Sequence, residues 1–260
     1  MSTYISVVSH GHGDLIKKLS CLSELSKLFT VVVKLNKPEE AFTQYLKNNN
    51  IEYIDESALY GLGFGHNNNI VFNYCKDQLS MKKNDYFLVF NPDVVSDVNT
   101  IKYLVSSMIE KNILISGVNL FKNDSYTIPD NSVRKFPTLI QFIKSFLGFK
   151  NKTIIDKSLI NKNEQVDWVA GSFIGFKTSY YEELRGFDEK YFMYCEDVDI
   201  CFRSKLLGNP VTFFPDVKMQ HLAQHANRKL FSKHFYWHVT SVMRFLLTNK
   251  KLTSMRSSIN

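Results

Sequence analysis

Two hydrophobic patterns alternate along the first half of this chain. Short β-branched or aromatic runs, Tyr4-Ile-Ser-Val-Val8, Phe29-Thr-Val-Val-Val33, Ile51-Glu-Tyr-Ile54 and Tyr86-Phe-Leu-Val-Phe90, each predict a strand. Between them the spacing turns helical. Leu15, Leu19 and Leu22 share a face, residues 38–47 are opened by Pro38, and Ile70, Val71 and Tyr74 follow a glycine-rich turn. Residues 98–111 predict a further helix and 113–118 a further strand. Such alternation predicts the α/β class, a largely parallel sheet flanked by helices. The run 86–90 is apolar throughout, so its strand is expected to be covered on both faces.

The second half is less regular. Residues 121–165 carry a basic patch, Ser132-Val-Arg-Lys-Phe-Pro137, before a helix containing Phe142, Ile143 and Phe146; they read as an insertion shaping the acceptor side of a cleft. Residues 166–175 predict one strand, broken at Gly171-Ser172, and 178–184 a helix. Within 191–203, Val198, Cys201 and Phe202, continued by Lys205 and Leu206, recur at helical spacing and predict an inward face, with Gly208 and Pro210 as the stop. Residues 211–215 predict a short strand. Residues 230–247 predict an amphipathic helix with Phe231, Phe235, Val239, Val242 and Leu246 in one stripe, widened by Tyr236, Trp237, Met243, Phe245 and Leu247.

Composition narrows the class. A chain of 260 residues, 44% hydrophobic and without a Pro/Gly/Ser-rich linker, suits one large α/β domain, or a domain with a C-terminal appendage. Cys21, Cys75, Cys195 and Cys201 show no zinc spacing and read as buried thiols of a reducing compartment. No signal peptide and no spanning helix are expected. The net charge of +7 is concentrated in residues 217–260, where Lys218, Arg228, Lys229, Lys233, Arg244, Lys250, Lys251 and Arg256 meet no acid. A basic tail implies an anionic partner: nucleic acid, a diphosphate or a lipid surface. The expected organisation is one domain over 1–216, with halves over about 1–120 and about 121–216, followed by a basic helical segment over 217–260.

Several stretches can carry chemistry. The loop Ser9-His-Gly-His-Gly-Asp14, with Asp14 as a helix N-cap, leaves the first strand where α/β proteins bind nucleotides, or it is an ordinary turn. Tyr60-Gly-Leu-Gly-Phe-Gly-His-Asn-Asn-Asn69 lets the backbone approach a ligand, and its asparagines offer donors and acceptors; its spacing is not the dinucleotide fingerprint. In Asn91-Pro92-Asp93 the proline ends the ladder, which puts Asp93 at the sheet edge. There a carboxylate holds a divalent cation on a diphosphate, or merely turns the chain. Glu196 and Asp197 sit at a helix N-terminus, a setting worth about 0.3–1 kcal/mol per carboxylate. Flanked by Phe192, Met193 and Tyr194, such an acid can also act as a general base. Asp199 is placed to pair with Arg203 one turn on. His221, His225, His234 and His238 cluster late in the chain without zinc spacing, so a metal role would be shared with Asp93.

Together these pieces resemble the inverting glycosyltransferases of family 2, with the GT-A fold, and among them the bacterial rhamnosyltransferases of O-antigen or cell-wall polysaccharide assembly. The resemblance runs from Tyr4 to about Lys250. It rests on Val8-Ser-His-Gly11, Gly63-Phe-Gly-His-Asn-Asn-Asn69, Asn91-Pro-Asp93, Trp168-Val-Ala-Gly-Ser172, Gly186-Phe-Asp-Glu-Lys-Tyr-Phe-Met-Tyr-Cys-Glu-Asp-Val-Asp199 and His221. It implies transfer of L-rhamnose from dTDP-L-rhamnose to N-acetylglucosamine on a polyprenyl diphosphate, with Mg²⁺ or Mn²⁺. Asp197 would be the base with Glu196 beside it, Asp93 and His221 would be the metal side, and Ser9, His10, Gly65, Asn68, Asn91 and Asp93 would lie near the nucleotide. The chain departs from that pattern with Leu35-Asn36 in place of Asp-Asn, Asn69 in place of a glycine, and Asn91 in place of a first Asp. The expected location is cytoplasmic, peripheral on the inner face of the cytoplasmic membrane, with the basic tail on anionic lipid. Another nucleotide sugar is an alternative. So is a non-catalytic module binding anionic lipid or nucleic acid, which would leave the carboxylates unexplained; no nucleic acid partner is expected.

Overall fold

The computed structural model describes residues 1–58, 61–146, 152–223 and 233–259. The first half contains β1 (Thr3–Ser9), α1 (Gly13–Leu19), α2 (Cys21–Leu25), β2 (Thr30–Leu35), α3 (Glu40–Asn48), β3 (Glu52–Asp55), α4 (Phe64–Asp77), β4 (Tyr86–Phe90), β5 (Val94–Val95) and α5 (Val98–Glu110). The second contains β6 (Ile115–Phe121), β7 (Val133–Arg134), α6 (Leu139–Phe146), a 3-10 turn (Lys157–Leu159), β8 (Glu164–Val166), β9 (Trp168–Val169), β10 (Phe173–Lys177), α7 (Thr178–Glu183), α8 (Glu196–Leu206), β11 (Val211–His221) and α9 (Lys233–Asn249).

The main sheet runs β3-β2-β1-β4-β10-β6-β11-β5, with β8 also on β11. β3, β2, β1 and β4 are mutually parallel, with Val7 opposite Val33 and Ile5 opposite Leu88, while β10 enters antiparallel between β4 and β6. The carboxyl ends of β1, β2 and β4 therefore share one edge, where open α/β sheets hold ligands. Alternate residues of β4 feed opposite cores. Phe87 and Val89 pack with Val71, Phe72 and Tyr181, whereas Leu88 and Phe90 pack with Ile101, Leu104 and Met108. Burying each such side chain is worth about 1.5–3 kcal/mol, which explains why this segment tolerates no polar position.

Four local expectations are corrected. Residues 166–175 form three strands, because Val166 pairs with β11, Trp168 and Val169 pair with β7, and the chain turns before β10 joins the sheet centre. Pro215 does not end its strand: the β6–β11 register shifts between Phe214 and Lys218, and Asn119 Nδ2 donates to the Pro215 carbonyl at 3.1 Å. β11 thus reaches His221, so residues 217–221 belong to the sheet rather than to the basic segment. Asp14 is not an N-cap but an exposed first-turn residue paired with Lys17 at 2.8 Å; Ile16 is the buried residue of α1 besides Gly13. In α8, Lys205 and Leu206 face solvent, Leu206 being 63% exposed, while Val198, Asp199, Ile200, Cys201 and Ser204 are buried. The helix is rolled because the Asp199–Arg203 pair, 2.8 Å long, faces inward, where Arg203 also donates to the Leu184 and Gly186 carbonyls.

The C-terminus returns to the domain. Arg256 N–H donates to Asp188 Oδ1 at 3.0 Å, Glu189 N–H to the Arg256 carbonyl at 2.8 Å, and Ile259 is only 1% exposed. All four cysteines are buried and free.

Candidate active site

A cavity of about 690 Å³ opens at the carboxyl edge of the sheet. His10 and His12 after β1, Asn36 after β2, and Asn91, Pro92 and Asp93 after β4 line its polar end. Leu62, Phe64 and Asn67 at the start of α4 form a side wall, and Phe192, Met193, Tyr194, His234 and Trp237 form an aromatic end.

The polar end is braced from behind. Ser9 is buried: its hydroxyl accepts from His12 N–H at 3.1 Å and donates to Glu39 Oε2 at 3.3 Å, while Glu39 Oε1 accepts from Gly13 N–H at 2.9 Å. Ser9 thus shapes the loop that presents His10 and His12. Burial, with help from nearby Lys37, lowers the pKa of both histidines, which favours neutral imidazoles. Buried Lys34 donates to Asn36 Oδ1 at 3.1 Å and pairs with Glu56 at 3.1 Å.

The three asparagines are helical rather than a ligand loop. Asn68 Oδ1 accepts from Ser6 Oγ at 2.7 Å, tying α4 to β1. Asn69 Oδ1 accepts from Tyr181 OH at 2.7 Å and Phe187 N–H at 3.0 Å, and its Nδ2 donates to the Phe187 carbonyl at 2.9 Å. Gly65 is a packing glycine, since a Cβ there would stand 2.6 Å from Phe187 Cβ; one at Gly63 would stand 2.4 Å from the Phe192 carbonyl oxygen. Ser9, Gly65 and Asn68 therefore stand behind the wall, whereas His10, Asn91 and Asp93 are on it.

Asp93 and His221 do come together, with Oδ1 and Nε2 3.5 Å apart. Asp130 was not singled out in the sequence, lying in the irregular stretch 91 residues away, yet its Oδ2 is 2.7 Å from His221 Nδ1. Beyond it, buried Lys157 donates to the Leu120 carbonyl at 2.6 Å. Burial opposes protonation of His221, but hydrogen bonds to Asp130 and Asp93 outweigh it and hold the imidazole up to about 9. Burial lowers Lys157 to about 8, against the pull of Asp130. Among the described residues no three His, Cys, Asp or Glu side chains form a metal cage. One carboxylate and one imidazole oriented by a second carboxylate nonetheless fit a cation that takes its other ligands from a diphosphate, provided the cation displaces the Nε2 proton of His221.

The acid pair lies on the other side of the wall. Two successive residues with positive φ, Tyr194 at 72° and Cys195 at 63°, turn the chain into α8. Asp197 Oδ2 accepts from Gly171 N–H at 2.9 Å and Oδ1 from Val198 N–H at 2.8 Å. Burial raises Asp197, opposed by those N–H groups and by Arg134. Glu196 is pushed higher by burial and by Asp197, and its Oε2 is buried without a partner. Asp197 accepts two backbone N–H bonds whereas Glu196 Oε2 has no donor, so of the two Asp197 is the better placed to hold negative charge. Neither acid lines the cavity, but Gly171, which holds Asp197, also abuts Phe64 on the wall, and the neighbouring Ser172 carbonyl accepts from Asn91 N–H at 3.0 Å.

The helix α9 completes the aromatic end. The Trp237 ring centroid lies 4.5 Å from that of Phe192, Tyr194 OH is 3.1 Å from His234 Nδ1, and Ser241 Oγ donates to the Met193 carbonyl at 2.8 Å. Arg244 is not a free surface charge. It pairs with Asp188 and lies 5.2 Å over the Tyr191 ring. His225, Arg228, Lys229 and Phe231 lie outside the described residues.

A mixed, mainly parallel sheet that carries such a cavity at its strand ends, an acid on one wall and a pair of acids, Glu196 buried and Asp197 half-buried, behind another, matches the GT-A class of glycosyltransferase. The chain belongs to glycosyltransferase family 2: residues 26–240 match the model described as "Glycosyltransferase like family 2". It is 39% identical over 256 residues to the rhamnosyltransferase WbbL of Escherichia coli K12, covering 98% of this chain and 96% of that protein. An 81-residue stretch, 31% of this chain and 26% of the relative, is 33% identical to the N-acetylglucosaminyl-diphospho-decaprenol L-rhamnosyltransferase of Mycobacterium tuberculosis. Among solved structures, S. aureus TarS 1-349 in complex with UDP-GlcNAc superposes with a TM-score of 0.60 at 14% identity, over 99% of this chain and 69% of that one, a likeness of fold alone.

Proposed function

We propose that this glycosyltransferase moves L-rhamnose from dTDP-L-rhamnose to N-acetylglucosamine carried on a polyprenyl diphosphate, in O-antigen or related polysaccharide assembly. The near full-length likeness to a rhamnosyltransferase carries this reading. The nucleotide lies along His10, His12 and Asn36, and its diphosphate reaches Asn91 and Asp93. Asp93 and His221 would hold Mg²⁺ or Mn²⁺, which when bound offsets the charge of the departing diphosphate. Asp197 takes the proton of the acceptor hydroxyl as that oxygen attacks the anomeric carbon opposite the diphosphate. One C–O bond forms as another breaks, the anomer inverts, and no sugar–enzyme bond is made.

The acceptor is a lipid, and α9 offers a surface for one. Tyr236, Met243 and Leu247 form an outward row 67%, 50% and 40% exposed, while Leu139 and Ile140 of neighbouring α6 are also exposed. Lys144 of α6, Lys233 of α9 and, just beyond α9, Lys250 and Lys251 are exposed too, each worth about 1 kcal/mol near an anionic membrane. We read this face as peripheral docking on the inner face of the cytoplasmic membrane. Among the described residues no helix is long and apolar enough to cross one. The decisive experiment supplies a synthetic polyprenyl-diphosphate N-acetylglucosamine with dTDP-L-rhamnose, UDP-N-acetylglucosamine or GDP-mannose. Product is expected from the first donor, and turnover of another donor alone would refute the assignment.

A further inference from the structure

Eight buried side-chain polar atoms among the described residues lack a hydrogen-bond partner, and Asn67 Oδ1 is the one that belongs to a cavity-lining residue. Its orientation is not arbitrary. Asn67 Nδ2 donates to the Leu62 carbonyl at 3.1 Å and to the Gly63 carbonyl at 2.9 Å, so both amide hydrogens are used, and the flipped amide would set oxygen against two carbonyl oxygens. The residue is 1% exposed. A buried amide oxygen without a donor is costly to keep, and in a binding site the ligand is the natural source of that donor.

The chemistry restricts the donor. An ionised diphosphate has no hydrogen to give, which leaves a hydroxyl or an N–H. On the proposed function, the nucleotide base occupies the ends of β1 and β2, and the sugar must bridge the diphosphate at Asp93 and the base at Asp197. Asn67 stands one turn after Phe64, whose ring abuts Gly171, the residue that donates to Asp197. On that reading the sugar lies beside Asn67. Leu62 and Phe64 on the same wall offer apolar contact suited to the methyl group of a 6-deoxyhexose. We infer that Asn67 Oδ1 accepts a hydrogen bond from a ring hydroxyl of the transferred sugar and so selects the donor's stereochemistry. This rests on the nucleotide-sugar reading of the cavity.

The test uses calorimetric titration of the full chain, with Mn²⁺ present, by dTDP, dTDP-L-rhamnose and its 2-, 3- and 4-deoxy analogues. One monodeoxy donor is expected to bind the wild type about tenfold more weakly than the parent, the worth of one neutral hydrogen bond. In Asn67→Ala the same pair should bind within about twofold of each other while dTDP affinity holds. Asn67→Ser, whose hydroxyl can still donate to the Gly63 carbonyl, should behave likewise and serves if the alanine variant lacks a cooperative melt. A wild type indifferent to every deoxygenation, or a penalty that persists in the variants, overturns this inference alone. Failure of the wild type to bind dTDP overturns the donor reading and this inference with it.

Discussion

The two ends of the cavity are held in different ways. At the polar end, side chains leave strands of one sheet, and each is backed by a polar partner: Glu39 behind the His12 loop, buried Lys34 behind Asn36, Asp130 behind His221. The aromatic end depends on elements far apart in sequence. Residues 192–194 lean on α9, Arg244 of α9 pairs with Asp188, and Asp188 also anchors the returning C-terminus through Arg256. Polar groups held in place by hydrogen-bonded supports suit the stabilisation of charge on a leaving diphosphate, because little reorganisation is left to do during reaction. An end assembled from long-range contacts is the part expected to open locally, which suits the exchange of a lipid-borne acceptor.

The largest effect should come at the acid pair behind the wall between them. Asp197→Asn removes the proposed base while keeping acceptors for the Gly171 and Val198 N–H groups only in part, so turnover should fall by roughly 10²–10⁴-fold. Binding of dTDP at the polar end should be unchanged by calorimetry. Glu196→Gln puts a neutral isostere where burial and Asp197 already disfavour the charged carboxylate, and a loss within about tenfold is expected. If Asp197→Asn turned over at near wild-type rate, the base would have to be sought elsewhere on the wall.

Next in size is the anchor of the aromatic end. Ile259→Ala empties a buried site beside Gly186 and should cost about 2–4 kcal/mol, or roughly 2–4 °C of Tm per kcal/mol. In a Trp168→Phe background the fluorescence of Trp237 should become more accessible to a quencher, while dTDP affinity below the transition stays put. Equal loosening at both ends would erase the distinction between them.

The same contrast explains what could be read from the chain. The strand–helix alternation, the doubly buried β4 and the Asp199–Arg203 pair are local patterns, legible at two-residue or helical spacing. Asp93 with His221 was legible through the family resemblance. Asp130 was not, because nothing in residues 121–165 distinguishes one acid from Asp124 or Asp156 until the chain folds back on β11. The asparagine triplet misled because three glycines look like a loop, while Gly63 and Gly65 serve the close approach of α4 to residues 187–192. Residues 217–260 read as an appendage in the sequence, yet Ile259 near their end is buried against the domain.

At the polar end, Asp130→Asn should weaken Mn²⁺ binding in the presence of dTDP by about 10–100-fold through loss of the carboxylate that orients His221. The metal-free protein supplies an independent readout. His221 is raised from 6.5 to about 9, so its contribution to stability is fully present below the unfolded value and is lost as pH rises through about 9. Between about pH 6 and pH 10 the Tm of the wild type should fall by more than that of Asp130→Asn. Parallel curves would show that Asp130 does not support the imidazole.

The smallest effect on the fold should come from the outer face of α9, where Tyr236, Met243 and Leu247 touch neither end of the cavity's support. Replacing all three by serine should change stability by no more than about 0.5 kcal/mol per site, as expected of exposed positions, and should leave turnover on a short water-soluble acceptor unaltered. Vesicle flotation should nonetheless separate the two proteins. The wild type should float with anionic but not neutral vesicles and detach as salt screens the lysines, whereas the triple variant should stay behind even at low salt. Turnover of a long-chain polyprenyl acceptor in such vesicles should fall with binding. Flotation that ignores lipid charge, or a triple variant that floats like the wild type, would mean that this apolar row is ordinary surface and that the acceptor reaches the aromatic end by another route.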